Sequence, residues 1–214
     1  MKILKPKLSA ELDADADFKT EISHSRAEET NIENKAFTSL IFDDDNFSKS
    51  YFHGTAFKNC HFTNCSFKKS EFVDCQFNLC DFSGSTFESA YFNRCAFHSC
   101  KGVGANFYLG FFRDISFFDC NFGYSNFMSS KWRVALISSS TFSNAAFEEC
   151  AFKNLVFDHA DLTRVNFFQT LLKGIDFTSA DISGISASAY ELGGAVVNTA
   201  QAAALAKLLG VIVV

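Results

Sequence analysis

The chain has 214 residues and a formal net charge of −5, from 19 Lys and Arg against 24 Asp and Glu. Nucleic-acid-binding proteins usually carry a positive charge, so this balance argues against direct nucleic-acid binding. No run of about 18 apolar residues is present, and the first residues contain no long apolar segment. Neither a transmembrane helix nor a secretory signal is therefore expected, and the sequence predicts a cytoplasmic protein that does not contact a membrane.

Residues 1–30 show no regular pattern and are predicted to form an N-terminal cap. A repetitive fold must cover its ends, because an exposed edge pairs with other chains. The segment LSAELDADADFK at 8–19 predicts a short helix with Ser9 as its N-cap. Ile22 and Ile32 are expected to enter the first coil of the repeat that follows.

Residues 31–185 repeat with a period of five. From Ile32 to Ile182 every fifth residue is large and apolar except Gly102, and all but four of the chain's 28 Phe lie at these positions. The residue two places earlier is usually small. Neither an α-helix nor a β-strand keeps such positions on one face. A chain that turns by about 90° per five-residue unit keeps these positions pointing inward. Four such units close one coil of about 20 residues, and neighbouring coils are expected to stack ~4.8 Å apart. At Gly102 a neighbouring ring must lean in or the coil must bulge, because interiors are close-packed.

All eight Cys lie at the small position of the unit. One column of the stacked coils would contain Cys60, Cys80, Cys100 and Cys120. Such a column could be a metal-binding or disulfide ladder, or the thiols could serve as small hydrophobic groups. The absence of CxxC spacing and the reducing conditions of the cytosol favour the second interpretation, so no metal site is predicted.

The repeating unit resembles that of the pentapeptide-repeat family, as in CDFSG (80–84), ANFYL (105–109) and ADLTR (160–164). The resemblance implies an all-β solenoid, a right-handed quadrilateral parallel β-helix over residues 31–185. Its register does not slip between 32 and 182, which leaves no room for an inserted loop.

No catalytic site is predicted. The sequence has no P-loop, GxGxxG, HExxH or GxSxG motif. An axis filled with Phe would leave no cavity for a small-molecule substrate. We therefore expect a protein that is not an enzyme, that has no catalytic residues and no cofactor, and that acts through its outer surface and its ends.

The outer surface is predicted to consist of columns of residues about 20 positions apart, one residue from each coil. One column contains four consecutive basic residues, Arg113, Arg133, Lys153 and Lys173. Another is rich in Asn and is expected to hydrogen-bond along the turns; it contains Asn46, Asn106, Asn126 and Asn166. Acidic residues suit a partner with a basic groove, and outward aromatic residues in a patch at 108–128 suit an interface. The candidate partner-binding residues are Asp81, Asp119, Asp158, Asp161, Asp181, Tyr108, Phe111 and Phe118.

Residues 186–214 are predicted to form a C-terminal module that caps the solenoid and joins two subunits. Asn198 or Thr199 offers an N-cap for a helix over 200–209, Gly210 is placed to end it, and the β-branched residues 211–214 predict a short strand. The candidate dimer-interface residues are Tyr190, Leu192, Leu205, Leu208, Leu209, Val211 and Val213.

The tail QAAALAKLLGVIVV (201–214) resembles that of quinolone-resistance pentapeptide proteins of the Qnr type. This resemblance implies a head-to-head homodimer that mimics DNA, binds DNA gyrase and topoisomerase IV, and inhibits them or protects them from quinolones. Plasmid-type members carry projecting loops that matter for protection, and this chain has no room for them, which favours plain inhibition. The alternative is a non-catalytic interaction scaffold with an unrelated partner, because the repeat fixes shape and not partner.

Overall fold

The computed structural model describes residues 2–213, apart from the side chain of Leu209, and it is a parallel β-solenoid. Each strand pairs with the segment 20 residues further along the chain, as Phe52 does with Phe72 and Phe112 with Trp132. Up to residue 170 pairing recurs on four sides of each coil, as strands or as single bridges; the next coil is bridged to it on two sides. The predicted fold class, the quadrilateral β-helix, is confirmed.

The strands of the described residues are short in the first coils and longer in the later ones. In chain order they are β1 (Ile32–Glu33), β2 (Ala36–Thr38), β3 (Ile41–Asp43), β4 (Tyr51–His53), β5 (Ala56–Lys58), β6 (His61–Thr63), β7 (Glu71–Val73), β8 (Gln76–Asn78), β9 (Tyr91–His98), β10 (Phe111–Phe118), β11 (Lys131–Ser138) and β12 (Ala151–Asp158). The helices are α1 (Phe18–Glu28), α2 (Ala189–Leu192) and α3 (Thr199–Ala206), followed by a 3₁₀ turn (Lys207–Leu209).

The axis of the solenoid is filled by stacked aromatic rings. In one column the rings of Phe67, Phe87, Phe107, Phe127 and Phe147 follow one another at centroid distances of 5.1, 4.8, 4.8 and 4.8 Å, with planes within 9° of parallel. These distances are close to the ~4.8 Å spacing of paired strands. Backbone pairing and ring stacking therefore reinforce the same register.

The corners of the coils are residues in the left-handed conformation, at every fifth position. Asn144 (φ 58°) and Asp119 (φ 53°) are examples, and even β-branched Val134 adopts it (φ 60°). Asn and Asp tolerate this conformation, whereas a β-branched residue is strained in it. The coil geometry therefore overrides the local preference of individual residues.

Gly102 interrupts one of the aromatic columns, and a neighbouring ring fills the gap, as one of the two predicted alternatives required. A Cβ built on Gly102 would collide with the ring of Phe122. That ring also stacks on Phe142 at 5.5 Å and meets Phe117 edge-on at 5.1 Å. A side chain at 102 would have to displace a ring that is packed on several sides.

All eight Cys are free and buried at the small inward positions. Burial raises the pKa of Cys75 well above its ordinary value and that of Cys150 to about 11. These two thiols are therefore poor nucleophiles and poor metal ligands. All eight Cys pack among the core residues at the small inward positions.

The N-terminal cap differs from the prediction of a helix after Ser9. Residues 9–12 form no helix; α1 begins later, with Asp17 as N-cap, whose carboxylate accepts a hydrogen bond from the Thr20 N–H at 2.8 Å. The helix places Phe18 in the axis, edge-on to Phe37 at 4.9 Å. The 8–19 segment alternates charged residues with Ala, so a helix there would have no apolar face to pack against the core. The burial of Phe18 instead favours a helix that begins at residue 18. Ile22 and Ile32 are buried in this end of the core, as expected.

The C-terminal helix is confirmed, with Asn198 as N-cap and Gly210 in the left-handed conformation (φ 74°). Gln201 completes a capping box with Asn198, and its side-chain NH₂ donates to the carbonyls of Phe177 and Ala180 at 2.8 Å each. These bonds satisfy backbone groups of the last coil that no further coil covers. The helix therefore closes the C-terminal end of the solenoid.

The predicted strand at 211–214 is wrong for the residues that the structure describes. Residues 211–213 are not paired, and the Val211 N–H donates to the Ala206 carbonyl at 3.3 Å as the chain leaves the helix. A strand needs a neighbouring backbone, and none lies beside this segment within residues 2–213. Val214 lies outside the described residues.

A segment before the first coil, residues 2–12, lies along the outside of the rod; we call it the strap. Its Lys7 N–H donates to the Asp74 carboxylate at 2.9 Å, and its Leu4 N–H donates to the Asp114 carboxylate at 3.2 Å. The chain then joins the first coil through Asp13, which pairs with Lys35. Asp74 and Asp114 are both buried, unlike the corner residue Asp119, which is exposed.

Asp74 is the central anchor of this contact. Its carboxylate accepts two hydrogen bonds at 2.6 Å from the Arg94 guanidinium and lies 3.5 Å from the His53 ring. Burial raises the pKa of Asp74, but the bonds from Arg94 and from the Lys7 N–H outweigh burial, so the pKa lies below its ordinary value. The ionised carboxylate therefore stabilises the fold above the pKa of the unfolded chain, and this contribution is lost as the pH falls through the lower folded-state pKa.

Replacing Asp74 by Asn tests this anchor, with Asp119→Asn as the matched control. Both residues are left-handed corners, but Asp119 is exposed. We expect Asp74→Asn to lower the free energy of unfolding at pH 7 by about 1–3 kcal/mol, because it removes a largely buried ion pair, and Asp119→Asn by less than about 0.5 kcal/mol. Urea denaturation at pH 7 and below pH 4 measures both. The difference between wild type and Asp74→Asn should shrink at the lower pH; equal effects of the two substitutions at pH 7 would refute the anchor.

Candidate protein-interaction surfaces

Because the register is constant, surface residues 20 positions apart form straight columns along the rod. A residue lies directly beside those 20 positions away, about 4.8 Å along the axis, as in the series Arg113, Arg133 and Lys153. Each charged residue of such a column lies next to a core residue in its strand. The backbone position of each surface charge is therefore fixed by the register of the aromatic stack.

Four of the five candidate acidic residues lie along one edge of the rod and the face beside it. Asp161 pairs with Asp181 in the next coil, and Asp158 is in the same coil as Asp161. Asp119 lies at the same edge two coils earlier. We call these four residues the acidic edge.

Asp81 does not belong to the acidic edge, although it shares a column with Asp161. Four coil steps separate the two, and Lys101 is the first residue between them. A partner that contacts the acidic edge would reach Asp81 only by covering most of the rod.

Several acidic and amide side chains serve the turns of the coils. Asp161 accepts a hydrogen bond from the Thr163 N–H and Asp181 from the Ser183 N–H, both at 2.9 Å. The predicted Asn column makes the same bond, as from the Tyr108 N–H to Asn106 at 3.0 Å. Each carboxylate therefore has a structural role in its turn, while its second oxygen and its charge face outward. An Asn substitution would remove the charge and retain the bond.

Asp158 carries its charge at neutral pH. It accepts hydrogen bonds from the Ser138 hydroxyl at 2.9 Å and from the His159 ring at 2.7 Å, and these bonds lower its pKa. Protonated His159 would partly neutralise this end of the acidic edge.

The predicted aromatic patch at 108–128 is not one surface. Tyr108, Phe111 and Phe118 lie on three different sides of a coil and are half-buried. Phe111 stacks on Tyr91 at 5.3 Å, and the Arg133 guanidinium lies over its other side at 5.7 Å. The corner residues between these positions turn the chain, which separates residues that are close in sequence.

Phe118 is part of a different contact, beside the strap. Its ring stacks on His98 at 5.2 Å, and both line a cleft whose other wall is the strap. Sequence reasoning missed this cleft because the strap residues carry no repeat. The only local signal was the irregular composition of residues 1–30.

The basic column lies on the face formed by β9–β12. Arg113, Arg133, Lys153 and Lys173 are exposed, and the three that belong to strands are paired in register. Within the described residues Arg133, Lys153 and Lys173 have no salt bridge, while Arg113 lies 3.6 Å from Asp114. Like charges directly opposite each other are unfavourable, so this column is a candidate for contact with an anionic group.

The C-terminal module presents an apolar surface. Tyr190 is 77% exposed, and Leu208, Val211 and Val213 are each about half exposed. Leu192 and Leu205 instead pack against the core and can contribute little to a contact outside the chain. The side chain of Leu209 lies outside the described part. A cleft of about 450 Å³ separates α3 from the last coil and is lined by Ile182, Ile185 and Ala204 among others.

Residues 2–213 contain no group of three or more His, Cys, Asp or Glu placed to hold a metal ion. No helix among them is long and apolar enough to cross a membrane.

Parts of the chain match family models of pentapeptide repeats, and most of the chain matches several solved structures. Residues 46–84 match the family model "Pentapeptide repeats (8 copies)", and residues 70–141 match "Pentapeptide repeat region". No curated protein matches the chain.

Several solved structures share the architecture. A trypsin-treated variant of QnrB1, a plasmid-mediated fluoroquinolone resistance protein, is 19% identical with a TM-score of 0.51, over 84% of this chain and 92% of that one. Full-length QnrB1 is 19% identical with a TM-score of 0.49, over 83% and 91%. HetL, a pentapeptide-repeat protein involved in heterocyst differentiation regulation from the cyanobacterium Nostoc sp. strain PCC 7120, is 13% identical with a TM-score of 0.32, over 82% and 95%. Residues 46–141 are therefore a region of pentapeptide repeats, and the chain is similar in fold to pentapeptide-repeat proteins.

Proposed function

We propose that this chain is a non-enzymatic protein that binds type II topoisomerases, DNA gyrase and topoisomerase IV, in place of a DNA segment. The observation that carries the proposal is the uninterrupted four-sided rod with the acidic edge along it, in the fold of a fluoroquinolone-resistance protein. A rod of this kind suits a basic groove that normally holds a duplex. The site of action would be inside the cell, with no cofactor, no small-molecule substrate and no direct contact with nucleic acid or membrane.

Shape and charge contribute unequally to this mimicry. A DNA duplex carries one negative charge per ~1.7 Å of its axis. The acidic edge extends from Asp119 to Asp181, three coil steps or about 14 Å, with four carboxylates. The acidic edge thus has about half the linear charge density of DNA, and shape complementarity must supply much of the binding.

The absence of projecting loops bears on what the bound protein does. The 20-residue pairing persists from β1 to the bridge between Asp176 and Val196 without an inserted segment. Loops that matter for protection in plasmid-type relatives have no counterpart along this stretch. We therefore propose inhibition of the topoisomerase as the main effect, with protection from quinolones as the lesser one.

The C-terminal module is proposed to join two rods into a homodimer. Its exposed apolar side chains, at 190, 208, 211 and 213, follow the last bridged coil in the chain, and Leu208 lines the cleft under α3. Exposed apolar groups in one module favour contact with another protein. An end-to-end pair would double the length of the mimicked duplex.

A second candidate function is a scaffold for an unrelated partner. The basic column favours it, because four exposed cations in register have no place in a mimic of DNA. The two functions predict opposite results when the two charged surfaces are neutralised separately.

Neutralising the acidic edge should weaken binding to DNA gyrase. We expect Asp158→Asn, Asp161→Asn and Asp181→Asn together to raise the concentration needed to inhibit supercoiling by about tenfold, since three exposed ion pairs are worth about 0.5 kcal/mol each. The amide oxygens can still accept the turn bonds, so the fold should remain.

The control set is Arg113→Gln, Arg133→Gln, Lys153→Gln and Lys173→Gln. We expect these substitutions to leave inhibition unchanged or improve it. The difference between the two sets should shrink at high salt, which screens exposed charge pairs. Failure of the basic set with a normal acidic set would contradict DNA mimicry. If the wild type does not act on gyrase at all, the scaffold proposal takes its place.

Dimerisation is tested by Leu208→Asp with Val211→Asp. Both side chains are exposed in the single chain, so the fold should survive, whereas an interface would have to bury two new charges at a cost of several kcal/mol. Sedimentation should give a dimer for the wild type and a monomer for the double variant. Ile41→Asp, at an exposed apolar position in β3 near the other end, is the control and should stay dimeric. A monomeric wild type, or a dimeric double variant, would refute this interface.

A further inference from the structure

The strap lies on the rod in the direction opposite to coil growth. Leu4 contacts the coil of Asp114, Lys7 contacts the coil of Asp74, two coils earlier, and Asp13 reaches the first coil at Lys35. The strap therefore crosses several coils on the outside of the β-helix.

The two anchoring carboxylates match the geometry of an extended chain. Asp74 and Asp114 are two coils apart, about 9.6 Å along the axis, and three residues of extended chain also span about 10 Å. Leu4 and Lys7 are three residues apart, and each donates its backbone N–H to one carboxylate. The rod thus binds backbone groups at positions i and i+3 of a chain that lies parallel to its axis.

Small residues on the rod make room for the strap. The column beside the anchors contains Ala56, Gln76, Ala96 and Ser116 in the coils that the strap crosses, and Leu136 and Val156 in the coils beyond it, so three of the four residues under the strap are small. Between the strap and the stacked pair of His98 and Phe118 remains a cleft of about 560 Å³. The groove is therefore wider than the strap that lies in it.

The strap is held by few bonds. Over residues 2–12, the two N–H groups bound to Asp74 and Asp114 are the only hydrogen bonds that the structure shows to the rod. There is no strand pairing in this segment. If the strap leaves, both carboxylates regain water and Asp74 keeps its bonds to Arg94, so detachment leaves no buried group without a partner.

We propose that the strap is a detachable cover of a peptide-binding groove, and that the groove, once vacated, binds an extended segment of a partner protein that resembles the strap, through Asp74 and Asp114. Within the described residues the strap is recognised through its backbone: its lysine side chains form no salt bridge with either carboxylate, and the carboxylates pair with Arg94 and Arg113 on the rod. Recognition is through backbone N–H groups at i and i+3, and the small residues Ala96 and Ser116 leave room for the side chains of the bound segment. Because the strap occupies the groove from within the same chain, a partner segment must bind the groove tightly enough to displace it. This proposal does not depend on a topoisomerase being the partner of the acidic edge.

The test uses the full chain and a labelled peptide of strap sequence, KILKPKLSAEL (residues 2–12). Leu4→Pro with Lys7→Pro removes both anchoring N–H groups and should release the strap. Fluorescence anisotropy should show the peptide binding to this released variant at least about tenfold more tightly than to the wild type, because two bonds to charged groups no longer compete. A peptide that is N-methylated at the amides of its Leu4 and Lys7 equivalents should not bind.

Substitutions on the rod locate the site. In the released background, Asp74→Ala with Asp114→Ala removes both acceptors and should abolish peptide binding, while Asp119→Ala, at an exposed corner of the same left-handed conformation, should not affect it. Equal binding to wild type and released variant, no binding to either, or binding that is indifferent to Asp74 and Asp114 would each overturn the proposal.

Hydrogen exchange of the unmodified wild type gives an answer even if the released variant does not fold. The proposal requires the amides of Leu4 and Lys7 to exchange through local detachment, at least about a hundredfold faster than the amide of Phe112 in the core. Exchange of the strap amides as slow as that of the core would show that the strap opens only when the whole protein unfolds, and would overturn the proposal.

Discussion

The match between ring stacking and strand spacing is the constraint on which this structure depends. Phenylalanine rings such as those of Phe87, Phe107 and Phe127 stack at 4.8 Å, close to the usual distance between paired strands. An extra residue that is not looped out of the coil would move a ring off its neighbour and break the pairing on several sides at once. The solenoid therefore tolerates unfavourable local conformations, such as left-handed Val134, more readily than a change of register. The one gap in the stack, at Gly102, is closed by a ring and not by a shift of the coil.

The same constraint makes the surface a set of fixed columns, and this is how the fold can specify a partner. The acidic edge, the basic column and the strap groove occupy different parts of one rigid rod. The carboxylates of Asp161 and Asp181 accept hydrogen bonds within their turns and also carry surface charge. The same side chains therefore stabilise the fold and are available to a partner. The ends follow other rules: Phe18 closes one end of the axis, and Gln201 satisfies the last carbonyls at the other. Interactions of the ends are thus independent of those along the sides.

The five-residue period predicted the core, the coil and the alignment of the columns, because one repeated interaction determines all three. The C-terminal helix was predictable from Asn198 and Gly210, whose roles are local. The start of α1, the burial of Asp74 and the position of the strap were not, because each depends on contacts between distant parts of the chain. The prediction of one aromatic patch was wrong for a related reason. Corners of the coil separate Tyr108, Phe111 and Phe118, and the rings of Phe111 and Phe118 pack on residues in adjacent coils. A strand at 211–213 could not be judged from β propensity, because a strand exists only beside a partner.

The proposal that the rod takes the place of DNA is tested most directly by competition. A fluorescent duplex bound to DNA gyrase would be titrated with this chain at several duplex concentrations, and its anisotropy followed. The account predicts that the chain displaces the duplex and that the concentration required rises in proportion to the free duplex, as for two ligands of one site. Binding of the chain to the gyrase–duplex complex without loss of the duplex would contradict it.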